Sequence, residues 1–237
     1  MTAKDTNVSS SSDKVCVIAI DGPSGAGKGT LSQLVAKHLG FHLLDSGALY
    51  RLVALAVQQS AVDISSEPAV ASLATDLDVR FDVSGETTRI LLADSDVTQD
   101  IRSEVVGMNA SVVAAYPGVR EALLMRQRAF RQMPGLVADG RDMGTQVFTD
   151  AEVKIFLTAS AEARAERRYQ QLLAKGEKVD MAALVRDIQE RDERDSKRAI
   201  SPLKPAADAV VIDSTSMTIQ QVLQAMLKLI NEHRQSL

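Results

Sequence analysis

A doubly wound α/β domain, built on a five-stranded parallel sheet with helices on both faces, is predicted by three observations. Short apolar runs alternate with longer stretches of helical period from Val15 to the C-terminus, the rhythm of strands covered by helices. The first run passes through a glycine-rich turn straight into a helix, the opening of a parallel crossover unit. The chain has 237 residues, 45% of them hydrophobic and 24% charged, enough for a large core and too ordinary for a fibre, a wholly disordered chain or a membrane bundle.

Each element can be justified in order. Residues 1–14 are polar, Ser-rich and without the basic-then-apolar order of a signal peptide, so they are read as a disordered tail on a cytoplasmic protein. The first strand is VCVIAI at 15–20. Leu31, Leu34, Val35 and Leu39 then recur at helical spacing, with Gly40 placed to end the helix. FHLL at 41–44 is the second strand, and GLVADG (135–140), VKIFL (153–157) and AVVI (209–212) supply the other three. Residues 77–97 read instead as an inserted antiparallel hairpin turning at Ser84-Gly85-Glu86. Residues 186–198 hold five basic and five acidic side chains in thirteen positions, a charged helix that Pro202 and Pro205 would stop. The hairpin and this helical lid both read as insertions over the site. The last helix opens on Thr218 and Gln221, a capping box, and continues through Val222, Leu223, Met226, Leu227 and Ile230.

Charge and composition exclude several roles. Lys and Arg number 27 against 31 Asp and Glu, a net −4, which argues against coating a nucleic acid polymer. One cysteine, Cys16, rules out an internal disulfide or a cysteine zinc site. Aromatic residues are 3% with no Trp, so rows of stacked bases are not expected. No run approaches the ~18 apolar residues of a membrane span, and there is no internal repeat.

The chemistry is carried by loops at strand ends. Gly22, Pro23, Ser24, Gly25, Ala26, Gly27, Lys28, Gly29 and Thr30 follow the first strand and enter the first helix. In that context the glycines let backbone N–H groups turn around phosphate oxygens, the helix N-terminus adds its dipole, and Lys28 supplies a mobile charge for the β- and γ-phosphates of a nucleoside triphosphate. Gly29 stands where Ser or Thr usually follows the lysine, which moves the hydroxyl for Mg²⁺ to Thr30 or leaves it to water. No guanine-reading Asn-Lys-x-Asp occurs, and Asp82-Val83-Ser84-Gly85 falls in the hairpin turn, so a GTPase is disfavoured.

Asp45-Ser46-Gly47-Ala48-Leu49-Tyr50-Arg51 leaves the same edge of the sheet after the second strand. Ser46 can cap the following helix, and Arg51, one turn in, can meet an anion. Asp139-Gly140-Arg141-Asp142-Met143-Gly144 is poor core and a poor regular turn; Asp139 at the strand end is placed to hold a hydrated Mg²⁺. In the charged run, Asp187, Arg191, Arg194, Asp195 and Arg198 fall within roughly a 100° sector at about 100° per residue. Three arginines on one stripe repel unless a polyanion lies across them; the plain alternative is a solvated helix.

GPSGAGKGT, LLDSGALYR, ADGRDMGTQVF with DAEVKIFLTAS, and ERDERDSKR together resemble the bacterial cytidylate kinases of the nucleoside monophosphate kinase group, in order and from about Val15 to the C-terminus. The hairpin is similar to their enlarged monophosphate-binding region, and adenylate kinases lack the DSGALYR and DGRDMGT strings. The resemblance implies transfer of the ATP γ-phosphoryl group to CMP or dCMP with Mg²⁺, by a monomer. It implies that Gly22 to Thr30 hold the ATP phosphates and that Lys28, Arg51, Arg141 and Arg191 surround the CMP phosphate and the transferring group. Ser46 and Arg120 would contact the acceptor nucleotide, Ser111, Arg120 and Asp142 its cytosine, and Asp195 with Arg191 and Arg198 its ribose and phosphate. The implied division is a tail at 1–14 and one kinase domain at 15–237: a core of 15–60, 101–170 and 201–237, a monophosphate-binding insert at about 61–100 and a lid at about 171–200.

The residues suit that chemistry. A nucleoside monophosphate is largely ionised at pH 7, since its second phosphate pKa is about 6, and needs no general base; the three histidines, 38, 42 and 233, are scattered. Asp142 would accept from the cytosine amine and repel the uracil carbonyl. A kinase for UMP, AMP or shikimate remains the nearest rival, and an ATP-binding regulatory module the more distant one.

Overall fold

The fold, given by a computed structural model, is described for residues 15–82, 89–174 and 176–235. Strand β1 (Val17–Asp21) is wholly buried and its side chains alternate between two cores. Val17 and Ala19 point to one, Ile18 and Ile20 to the other, which is why the run reads as continuously apolar. Helix α1 (Lys28–Leu39) ends on Gly40 in the left-handed conformation, φ 67°, as its placement predicts. Strand β2 (His42–Asp45) leads into α2 (Ser46–Gln59), which is buried on nearly every side.

The chain continues through α3 (Glu67–Thr75), β3 (Val79–Asp82), β4 (Arg89–Leu92), β5 (Ser95–Asp96), α4 (Glu104–Val113) and α5 (Pro117–Arg128). It then forms β6 (Leu136–Gly140), a π-helical turn (Met143–Val147), β7 (Val153–Thr158), α6 (Ala161–Ala174), α7 (Met181–Ser196), β8 (Val210–Asp213) and α8 (Ile219–Gln235). The parallel sheet has the order β2-β6-β1-β7-β8. Helices α2, α4 and α5 pack on one face and α1 with α8 on the other, so the predicted five-stranded α/β sheet is the observed one, with strand ends within two residues of expectation.

Two expectations are revised. The predicted hairpin is a three-stranded antiparallel sheet, β3-β4-β5, because Ser95 and Asp96 turn back and pair with Leu92 and Leu91; its turn at 84–86 lies outside the described residues. The charged helix stops at Ser196, well before Pro202. Its end is closed when the chain folds back, with Ser201 at φ 51°, so that the Leu203 N–H donates to the Asp195 carbonyl at 2.9 Å; Arg198 therefore lies beyond the helix. The Thr218 capping box forms in both directions, its N–H donating to Gln221 Oε1 at 2.8 Å and its Oγ1 accepting from the Gln221 N–H at 3.3 Å.

Candidate active site

The loops after β1, β2 and β6 leave the carboxyl edge of the sheet side by side and open onto a cavity of about 770 Å³. From the first loop, Ser24, Gly25, Ala26, Gly27, Lys28, Gly29 and Thr30 line it. Gly22 and Pro23 support the loop from below: a Cβ on Gly22, at φ 151°, would lie 1.9 Å from the Leu157 carbonyl oxygen, so only glycine passes there. Ser46 and Arg51 come from α2, Ser111 from α4, Arg120 from α5, and Asp139, Arg141 and Asp142 from β6 and its loop. Arg191, Asp195 and Arg198 close the far side. Among the described residues, Arg194 and the 61–100 segment do not reach this cavity. Asp187 and Arg194 are the stripe members absent from its lining, and Ile90 of β4 lines a smaller pocket of about 320 Å³ behind Arg51.

Lys28 is buried, with Nζ donating to the Pro23 carbonyl at 2.9 Å and standing 4.0 Å from Asp139 Oδ1. Burial lowers its pKa and the Arg141 charge adds to that. Burial likewise raises the pKa of Asp139, opposed by Lys28. Each group is poorly compensated alone, so a phosphate beside the ammonium and a cation beside the carboxylate would both relieve cost. Asp21, which sequence reading assigned no role, fastens this loop to the next: its two carboxylate oxygens each accept at 2.8 Å, from the backbone N–H of Met143 and of Gly144. Burial raises its pKa to about 6.

On the side of the cavity built from α2, α4 and α5, Asp45, not Ser46, is the helix cap, its Oδ1 accepting from the Ala48 N–H at 3.0 Å. That frees Ser46 to donate to Gln127 Oε1 at 2.9 Å. Arg120 donates to the buried carboxylate of Asp142 and to the Ala114 carbonyl at 3.1 Å, while its guanidinium lies 5.6 Å from the Tyr50 ring centroid. Burial raises the Asp142 pKa against the pull of Arg120, Ser201 and Arg198. Arg51 is turned to the backbone, donating to the Ile101 and Ser103 carbonyls at 2.7 and 3.2 Å. Gly107 makes room for it, since a Cβ there would lie 2.8 Å from its guanidinium.

The far wall is organised by Asp195, 1% exposed. It accepts from Arg141 Nε at 3.1 Å, from the Ser111 hydroxyl at 3.2 Å and from Arg198. Burial by itself would raise its pKa, but Arg141, Arg198 and Arg191 outweigh burial and hold the carboxyl below the usual carboxylate range. The Nε–H groups of Arg191 and Arg198 are buried with no hydrogen-bond partner among the described residues, and burial with the Arg141 charge pushes the Arg191 pKa down to about 10. One carboxylate thus faces three guanidiniums, an excess of positive charge and donors that oxygen-rich anions would satisfy.

Asp195→Asn is therefore expected to lower stability at pH 7 by about 3 kcal/mol, because removing one partner leaves buried arginines uncompensated, and added ATP should recover part of the loss. The folded pKa is depressed, so the contribution is present above the unfolded value near 3.8 and disappears as pH falls through the folded value. Chemical denaturation at pH 7 with and without ATP checks this. Equal stability of variant and parent would contradict it.

Arg164 is a second residue that sequence reading passed over, one arginine among three in ARAERR. It is buried; Nη1 donates to the Ser24 carbonyl at 2.9 Å and to Asp192 Oδ1 at 3.0 Å, and Nε to the Ala159 carbonyl at 2.9 Å. It ties the glycine loop, the end of β7 and helix α7 together. Gln127, the buried partner of Ser46, had no signal in the sequence at all.

Comparison with known proteins bears on the whole constellation. The family model described as cytidylate kinase matches residues 18–232. The cytidylate kinase of Aeromonas salmonicida is 61% identical over 211 residues, covering 89% of this chain and 92% of that protein. That of Pseudomonas paraeruginosa is 60% identical over 215 residues, 90% of this chain and 94% of its own, and that of Pseudomonas syringae pv. tomato 59% over 216 residues, 90% and 94%. The match takes in every strand and loop that builds the cavity apart from the first residue of β1, and this chain belongs to the cytidylate kinase family.

Proposed function

We propose that the protein transfers the γ-phosphoryl group of ATP to CMP and dCMP, giving ADP and the diphosphate. The observation that carries this reading is the surplus of buried guanidinium donors in the cavity opposite the glycine loop: Arg141, Arg191 and Arg198 around one carboxylate, two of them with unfilled Nε–H groups. Such an array suits a second phosphate facing the ATP phosphates, which an enzyme that only hydrolyses ATP would not need.

An ionised oxygen of the CMP phosphate attacks the γ-phosphorus and the bond to the β,γ-bridging oxygen breaks, so no proton has to be removed by the protein. The backbone of 22–30 and Lys28 hold the donor phosphates, while Arg51, Arg141 and Arg191 hold the acceptor phosphate in line and neutralise charge spread over the transferred group. Asp139, buried and poorly compensated in its pocket, together with Thr30 would hold a hydrated Mg²⁺, which when bound would neutralise β- and γ-phosphate charge. Arg164, through Asp192 and the Ser24 carbonyl, keeps α7 and its Arg191 registered on the phosphate loop. Closing of the α6–α7 lid on two nucleotides excludes water, the competing acceptor.

Asp142 with Arg120 and Ser111 would read the base, the carboxylate accepting from the cytosine amine. Asp142→Ala is expected to reduce the ratio of kcat/KM for CMP over UMP about a hundredfold, the loss of a site's polar reader together with its held arginine; an unchanged ratio would contradict this assignment. The function itself is tested by ADP release with CMP, dCMP, UMP, AMP and shikimate in parallel. CMP and dCMP are expected to be the best acceptors, and a better rate with any of the other three would overturn the reading.

A further inference from the structure

The acceptor half of the cavity is backed by a run of side chains whose polarity is set from outside the cavity wall. The Ser46 hydroxyl donates to Gln127 Oε1 at 2.9 Å, and both groups are buried. Gln127 also interacts with the Tyr50 hydroxyl, which it helps to hold against the effect of burial. Ser46 and Tyr50 are one turn apart on α2, and Arg120 and Gln127 two turns apart on α5, so each pair shares a helix face. Arg120 lies over the Tyr50 ring and donates to Asp142. Ser46, Gln127, Tyr50, Arg120 and Asp142 are thus in unbroken contact.

A serine hydroxyl carries one proton and two lone pairs. With its proton given to Gln127, Ser46 presents only lone pairs to the cavity it lines. An ionised Asp142 presents only lone pairs as well. A wall of acceptors suits a base edge that donates: cytosine offers an amine at ring position 4, where uracil offers a carbonyl. We propose that Gln127 is a positioning residue for base choice, which by holding the Ser46 proton makes that hydroxyl accept from an amino group and repel a carbonyl oxygen. The inference rests on the reading that CMP is the acceptor and adds to it a determinant outside the cavity. Without Gln127 the hydroxyl rotates and can donate, so uracil is no longer met by lone pairs alone.

The test is Gln127→Met, close in volume and without a strong acceptor. It is expected to lower the CMP over UMP ratio of kcat/KM about tenfold, chiefly by raising the UMP value, with the KM for ATP unchanged. Ser46→Ala removes the reader itself, so Gln127→Met added to Ser46→Ala should change the ratio no further. A folded Gln127→Met protein with the parent ratio, or losses that add in the double variant, would overturn the inference. Where Met is not tolerated, Gln127→Leu is measured against the same expectations. A parent enzyme with no preference for CMP over UMP overturns the CMP reading together with this one. A parent that prefers CMP, beside an unmoved Gln127 variant, overturns this inference alone.

Discussion

Lys28→Met is expected to lower kcat about a thousandfold, the loss typical of deleting a preorganised charge aimed at the transferring group. The ammonium sits inside the glycine loop, held by the Pro23 carbonyl at 2.9 Å, and is the loop's own charge against the phosphates. Methionine keeps most of the buried stem, so the loop should retain its shape and ATP affinity should fall by no more than about tenfold, since backbone N–H groups bind much of the polyphosphate. Stability should not suffer, because the charge is buried at a cost: burial and Arg141 both push its pKa down. Steady-state kinetics with an independent ATP titration and a melting curve separates the three effects. A kcat within tenfold of the parent would remove Lys28 from the chemical step.

Arg191→Ala is expected to reduce kcat about a hundredfold or more while the KM for ATP stays within about threefold. The asymmetry follows from placement. Arg191 stands across the cavity from the ATP loop, beside Arg141 and Arg51, which together with burial disfavour its charge in the empty site. That crowding ends when a phosphate lies between them, so its largest stabilisation falls where phosphoryl charge is greatest, in the transition state. Removing it should also relieve repulsion in the free enzyme, and the variant should melt no lower than the parent. Unaltered turnover would show this stretch of α7 to be only a solvated helix face.

The frame of this fold was legible because its signals are local. The five parallel strands are short, mainly apolar runs, buried in β1 and β6 and more exposed at the sheet edges in β2 and β8, and the glycine loop announces itself since few other residues pass φ 78° at Gly25 and φ 92° at Gly27. The charged run showed Arg191, Asp195 and Arg198 on one stripe but could not show that Asp195 is buried against Arg141 and Ser111 as well, because those two partners come from distant segments. The same stripe over-counted Asp187 and Arg194, neither of which lines the cavity, and over-extended α7, whose end is set by a backbone hydrogen bond from Leu203. Ser46 could be read as a cap or as a ligand of the cavity; Asp45 takes the capping role, and only the arrival of Gln127 from α5 shows where the Ser46 proton goes. Asp21 and Arg164 were hidden for a different reason. They act on backbone groups of distant loops, Met143 and Gly144 for one and Ser24 for the other, and no side-chain pattern in one sequence registers such contacts.

The central claim is that the cavity places a second phosphate, not water, in line with the ATP phosphates. It is tested most directly by following γ-labelled ATP in a single turnover with and without CMP. With CMP the label is expected to appear in CDP, and without an acceptor its release as inorganic phosphate should be at least about a hundredfold slower, because the arginine wall positions an anionic phosphate and has no charge to hold on a water molecule. Label released at the same rate with or without CMP, and recovered as inorganic phosphate in both, would contradict the account.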